Sequence, residues 1–169
     1  MGAGKTSIGR ALAELLRWSF IDLDEEIERL ARLPIREVFQ RQGELRFREV
    51  ETETLRRMLE CLSSATVIAL GGGTFIQAAN AEMLGVAGAK VVFLQTPIEE
   101  MLQRCFVEVP SSAENLRPLA SDPDAFRALY EQRLPRYRKA DLTVNTVGKT
   151  AEENARAIAE SLRLRADKF

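Results

Sequence analysis

The chain has 169 residues, 46% of them apolar and 29% charged, which suits one domain able to bury about 70% of its unfolded surface and argues against disorder. It contains no histidine, so a Ser-His-Asp or Cys-His nucleophile pair, a histidine metal ligand and an imidazole proton shuttle are all excluded. With 24 basic against 25 acidic side chains, net charge −1, there is no basic excess of the kind that holds nucleic-acid phosphates.

Residues 5–16 carry Ile8, Leu12, Leu15 and Leu16 at helical spacing and predict a helix with those side chains inward. Trp18–Leu23 reads as a short strand and Asp24–Ala31 as an amphipathic helix. Pro34 opens a further short helix that Gly43 ends. From Glu44 to about Leu62 a long helix turns Phe47, Val50, Leu55 and Leu59 inward. Thr66–Leu70 is a continuous apolar strand, as expected where both faces are buried in a parallel sheet, and Lys90–Leu94 is another. Thr96, Pro97 and Glu99 fit the N-cap, N1 and N3 positions of a helix over 97–105. Residues 107–116 are polar and turn-rich and read as a mobile loop.

A helix follows from about Asp122, interrupted by Pro135, and Leu142–Val144 is the last strand. Thr150 and Glu153 then cap a terminal helix with Ala155, Ile158 and Leu162 inward. The alternation predicts an α/β fold with a parallel sheet, undivided by repeat, low-complexity tract or linker. Cys61 and Cys105 show no CxxC spacing and no secretory leader precedes them, so two buried, reduced thiols in a cytoplasmic protein are expected. No apolar run approaches the roughly 20 residues of a membrane helix.

The opening MGAGKTS places Gly4, Lys5 and Thr6 at the last three positions of a Walker A loop, G-x-x-x-x-G-K-[ST]. That chemistry needs glycines to turn backbone N–H groups onto phosphate oxygens, a lysine for the β and γ phosphates and a hydroxyl for Mg²⁺. The helix that follows adds its N-terminal dipole. The motif's first glycine, and the strand that should feed the loop, would fall before Met1.

Asp22 and Asp24, two apart at a predicted strand end, share a face and can both reach the crevice where α/β sheets bind ligands. Asp24 alone could equally cap the helix that begins there. Asp22, near a phosphate loop, can hold Mg²⁺ or accept a proton from an attacking hydroxyl. Arg48 and Glu51 can pair at i, i+3, ordinarily a solvated surface contact. Gly71, Gly72 and Gly73 directly after a strand allow backbone to approach a ligand, although a plain turn also uses one or two glycines. Arg117 follows the polar loop and Arg133 precedes Pro135 and Tyr137; arginines converging on one crevice suit carboxylates and phosphates.

The ordered series GAGKT, FIDLD, FREVE, GGG, RPL and RLPRYR, from residue 1 to about 145, resembles shikimate kinase. Each motif alone is weak and the ordered combination is specific. The resemblance implies a three-layer P-loop kinase fold with a lid over about 106–117, acting as a monomer on ATP and shikimate with Mg²⁺, without nucleic-acid or membrane partners. It implies phosphate binding by Gly2, Ala3, Gly4, Lys5, Thr6 and Ser7. Lys5 falls on the transferring group, and Thr6 and Asp22 on Mg²⁺, with Asp22 beside the reacting hydroxyl.

The resemblance further implies that Asp24 binds shikimate hydroxyls, Arg48 and Arg133 its carboxylate, and Gly71, Gly72 and Gly73 its ring. Arg117 reaches over ATP and Arg104 stacks on adenine. Two features depart from the family pattern. Lys149-Thr150-Ala151 stands where a proline beside adenine is expected. The sheet's middle strand is missing ahead of Gly2, which would leave two neighbours unpaired, so a start assigned too late is expected. A gluconate kinase shares the loop but lacks the Arg48, triple-glycine and Arg133 set; a non-catalytic kinase-like chain is the reading the missing strand leaves open.

Overall fold

The phosphate-loop sequence dictates how the first helix starts. Gly4 sits at φ 77° and ψ 18°, a left-handed conformation that a Cβ disfavours, and helix α1 (Lys5–Leu16) begins at the next residue. The computed structural model describes residues 2–107 and 122–166. After α1 come β1 (Ser19–Asp22), α2 (Leu23–Ala31), α3 (Ile35–Cys61) and β2 (Thr66–Ala69). Then follow α4 (Ala78–Val86), β3 (Val92–Gln95), α5 (Ile98–Leu102), α6 (Pro123–Tyr137), β4 (Leu142–Asn145) and α7 (Ala151–Ser161). A π-helical turn over Gln103–Val107 extends α5. Helix α3 is broken at Gly43 (φ 76°, ψ 172°), where the sequence places a helix end.

Three layers result. On one side of the strands, Ile8, Leu12 and Leu16 of α1 pack with Ala155, Ile158 and Ala159 of α7, over Val67, Val92, Leu94 and Val144. On the other side Ile27, Val38, Phe47, Leu55 and Met58 from α2 and α3 pack with Leu84 of α4, against Ile21, Ile68, Leu70 and Val91. Successive residues of β2 therefore serve opposite layers, Val67 the first and Ile68 the second, as the two-residue period of a strand requires.

The middle layer is divided. Strand β1 pairs parallel with β2, from Ser19 opposite Thr66 to Asp22 opposite Ala69. Strand β3 pairs parallel with β4, from Val92 opposite Leu142 to Gln95 opposite Asn145. The two pairs form separate sheets, so β2 and β3 each keep one edge without a strand partner among the described residues. A cavity of about 760 Å³ is lined by residues of both strands. Val67, Ile68, Leu70, Val92 and Leu94 are consequently only half-buried, where the apolar runs alone predict strands covered on both faces.

Other local expectations change for identifiable reasons. Thr96 does not cap α5: Pro97 takes the N-cap position, and the Thr96 hydroxyl is buried against that of Thr146 at 2.7 Å. Helix α6, capped by Asp122 accepting from Ala125 N, runs through Pro135 to Tyr137. Leu15 faces solvent at 43% exposure, and Ala13 takes the inward position beside Leu12 and Leu16. Cys61 is exposed and Cys105 half-buried, so neither thiol is a core residue. The Thr150 and Glu153 capping box of α7 forms as expected, each side chain meeting the other's backbone N–H.

Truncating the fully buried Leu55 to alanine should destabilise the fold by about 2–5 kcal/mol, whereas Leu15→Ala should cost less than about 0.5 kcal/mol. Urea unfolding followed by circular dichroism compares the two.

Candidate active site

The N-terminus of α1, the C-terminal end of β2 and one face of α6 line the cavity. Parallel sheets place ligands at these strand ends because loops and helix N-termini converge there. The four unpaired N–H groups of α1 and its dipole leave positive potential where Gly2 to Thr6 lie. Thr6 Oγ1 donates to Asp22 Oδ2 at 2.8 Å. Asp22 ends β1 and also caps α2, its Oδ1 accepting from Asp24 N at 3.0 Å. The aspartate that caps is thus Asp22 and not Asp24, which sits inside the first turn of α2. One carboxylate thereby joins the phosphate loop, β1 and α2.

Asp24 lines the cavity, together with Ala3, Lys5, Arg48, Gly71, Gly72, Gly73 and Arg133. The turn after β2 sets the spacing among them. A Cβ on Gly71 would fall 3.0 Å from Asp24 Oδ1 and 2.9 Å from Glu51 Oε1, and one on Gly73 would fall 2.6 Å from Arg48 Cζ. These are contacts that no side chain at either position could accommodate without displacing a charged group. The glycines are there for close approach.

Glu51 holds this corner together. Its side chain is 1% exposed, and its carboxylate accepts from Thr74 Oγ1 at 2.6 Å, Gln77 Nε2 at 2.8 Å and Arg48 Nη1 at 2.8 Å. The Arg48 side chain is 17% exposed, so the pair is buried and not the solvated contact its i, i+3 spacing suggests. A buried carboxylate is tolerated when its lone pairs are satisfied in this way. Arg48 Nη2 also reaches Glu44 at 3.2 Å, and its guanidinium lies 5.2 Å from the Phe47 ring centroid.

Across the cavity, Arg133 Nη1 donates to Gly72 O at 3.3 Å, and the Tyr137 hydroxyl donates to the same oxygen at 2.5 Å. The Tyr137 ring stacks on Phe93 with centroids 5.2 Å apart. Burial pushes the Tyr137 phenol above its ordinary value, opposed by the nearby Arg133 charge. It therefore remains a neutral donor throughout the neutral range.

Two residues expected on the nucleotide side have these surroundings. Arg104 Nη1 donates to Gly2 O at 2.9 Å while its Nη2 holds Glu100 at 2.9 Å, so this guanidinium braces the phosphate loop. Ser7 is exposed in the first turn of α1. Arg117, and nearly all of the expected lid, lie outside the described residues. No cluster of three acidic, histidine or cysteine side chains suited to a metal occurs among the described residues. Thr6 and Asp22 nevertheless put two hard oxygen donors side by side, and Mg²⁺ characteristically takes one or two protein oxygens beside phosphate and water. Sequence spacing alone does not reveal Thr74 and Gln77, which reach Glu51 from 23 and 26 residues away.

A family model described as shikimate kinase matches residues 1–163. The shikimate kinase of Moorella thermoacetica is 41% identical over 96% of this chain and 90% of its own length. That of Geobacter sulfurreducens is 39% identical over 96% and 87%. The solved structure of shikimate kinase from Acinetobacter baumannii in complex with shikimate superposes with a TM-score of 0.86 at 38% identity, covering 96% of this chain and 88% of that one. The Aquifex aeolicus enzyme gives 0.80 at 33% identity, over 96% and 92%.

Glu51→Ala strands the half-buried Arg48 charge and the Thr74 hydroxyl, and should cost about 3–5 kcal/mol of stability in urea unfolding. Removing the solvent-exposed Glu53, which pairs with Arg56 and Arg57, should leave the unfolding midpoint unchanged.

Proposed function

The chain belongs to the shikimate kinase family, and from that premise we propose that it transfers the γ-phosphoryl group of ATP to the 3-hydroxyl of shikimate, giving shikimate 3-phosphate and ADP. The observation that carries the reading is the convergence of Lys5, Asp24, Arg48 and Arg133 on one cavity beside the N-terminus of α1.

Phosphoryl transfer asks a protein chiefly for alignment and charge neutralisation. In our reading the backbone of Gly2, Ala3, Gly4 and Thr6 holds the β and γ phosphates, with Lys5 on the transferring group. Ser7 and Arg104 belong to the nucleotide side, and Arg117 reaches over the phosphates from the lid. Thr6 and Asp22 would hold Mg²⁺, which neutralises charge on the β and γ oxygens when bound.

The shikimate carboxylate takes Arg48 and Arg133 from opposite sides. Glu51 and Glu44 occupy two of the five donors on Arg48, leaving the others for the substrate. The ring rests on the backbone of Gly71, Gly72 and Gly73, and Asp24 accepts from its hydroxyls. The new O–P bond forms as the β–γ bridging P–O bond breaks. The hydroxyl proton passes to Asp22, and ADP leaves with the bridging oxygen. We read the enzyme as a monomer. No helix among the described residues is long and apolar enough to cross a membrane, and we read the enzyme as cytoplasmic.

A coupled ADP-release assay should show turnover with shikimate and none with gluconate; turnover with gluconate alone would overturn the assignment. Lys5→Ala should abolish turnover while calorimetry still detects shikimate binding. Arg133→Ala should raise the KM for shikimate by ten-fold or more with a smaller change in kcat, and an unchanged KM would remove Arg133 from the carboxylate site.

A further inference from the structure

We propose that Tyr137 is a positioning residue for shikimate, whose hydroxyl keeps the Gly72 carbonyl hydrogen-bonded when Arg133 turns from that oxygen to the substrate carboxylate. The proposal rests on the assignment of Arg133 to the carboxylate and adds a residue which that assignment does not contain. Arg133 and Tyr137 stand at i and i+4 on α6, so they share a face, and both line the cavity. Their polar ends meet at one atom: Gly72 O accepts from Arg133 Nη1 at 3.3 Å and from the Tyr137 hydroxyl at 2.5 Å. Both donors lie on the same side of the turn, each 3.7 Å from where a Cβ on Gly72 would stand.

The two donors are not equivalent. The Tyr137 ring is stacked on Phe93 of β3 at 5.2 Å and tilted against Tyr130 at 6.4 Å between centroids, so the ring itself holds the hydroxyl in place. The guanidinium ends a flexible stem, and its 3.3 Å contact is longer than the roughly 2.7–3.2 Å of a well-formed N–H···O bond. A carboxylate, being charged, outcompetes a neutral carbonyl for this cation and can take two of its N–H groups in parallel. Shikimate therefore draws Arg133 away from Gly72, and the tyrosine stays.

The Gly72 carbonyl belongs to the turn on which the substrate ring rests, and a ring that covers the turn shuts water away from it. A buried carbonyl left without a donor opposes binding. With the Tyr137 hydroxyl in place the oxygen loses one of its two donors and remains paired. The phenol suits this task chemically. Burial holds it above its ordinary value, against the charge of Arg133 and, more weakly, that of Arg48, while Tyr130 acts in the same direction as burial. The hydroxyl thus keeps its proton at neutral pH and stands within the field of both guanidinium groups without adding a third charge that would compete for the carboxylate.

The test is a double-mutant cycle on the full 169-residue chain, read as shikimate Kd by calorimetry and as KM by ADP release. Tyr137→Phe keeps the ring and its stacking on Phe93 and removes only the donor. We expect it to raise the Kd and KM for shikimate about ten-fold, with the KM for ATP within about two-fold and a smaller change in kcat. In an Arg133→Ala background no guanidinium leaves Gly72 on binding, so adding Tyr137→Phe should change the shikimate Kd by less than about two-fold. Two results would overturn the proposal: an unchanged shikimate Kd in Tyr137→Phe, or an equal weakening in both backgrounds, which marks a merely structural hydroxyl. A wild-type chain that binds shikimate without phosphorylating it overturns the kinase reading and leaves the binding cycle to decide this one. A chain that does not bind shikimate overturns both.

Discussion

The Glu51 carboxylate is the interaction on which the rest of the site depends. It lies on the inner face of α3, nearly sealed from solvent, yet two of its neighbours come from the turn after β2 and one from its own helix. A lone buried carboxylate costs several kcal/mol of desolvation, and this one is stable because Thr74, Gln77 and Arg48 saturate it. The same bonds act in the other direction. They hold the turn so close to α3 that a Cβ at position 71 or 73 would displace a side chain of the network. In a low-dielectric corner such a network is stiff, because displacing any member leaves another unsatisfied.

A second carboxylate does the same work for the phosphate side. Asp22 spends one oxygen on the backbone of α2 and the other on Thr6. The orientation of the loop is thereby coupled to the end of β1 and to the helix that carries Asp24. Arg104 closes the arrangement from the opposite direction by holding the Gly2 carbonyl. The left-handed turn at Gly4 is thus bracketed on both sides, and α1 begins in a defined direction toward the cavity.

Much of this was legible from residue types. Gly4 before an apolar helical run, Thr150 with Glu153, and the alternation of apolar strands with amphipathic helices all express local rules, and the structure follows them. What sequence spacing does not carry is depth. Arg48 and Glu51 look like a surface pair because i, i+3 geometry is the same whether a helix face meets solvent or core. Thr96 has the composition of an N-cap, but the hydroxyl of Thr146, fifty residues away, competes for it and wins. Asp22 rather than Asp24 caps α2 because the strand ends one residue earlier than its apolar run. Cys61 is the last residue of α3, where its thiol meets water. For Glu51 and for Thr96 the deciding partner is distant in sequence.

The divided sheet gives these contacts a further significance. Asp24, Arg48 and the triple glycine belong to the half built on β1 and β2, whereas Arg133 and Tyr137 stand on α6, beside the half built on β3 and β4. Among the described residues, contacts other than a strand ladder join the two halves. One is the apolar packing of α1 on α7, where Ile8, Leu12 and Leu16 meet Ala155, Ile158 and Ala159. The other is the Gly72 carbonyl, which accepts from both Arg133 and Tyr137 across the cavity. Helix packing is non-directional and sets distance loosely, while hydrogen bonds to one oxygen set it closely. The Gly72 carbonyl thereby ties Arg133 on α6 to the glycine turn that lies against Arg48.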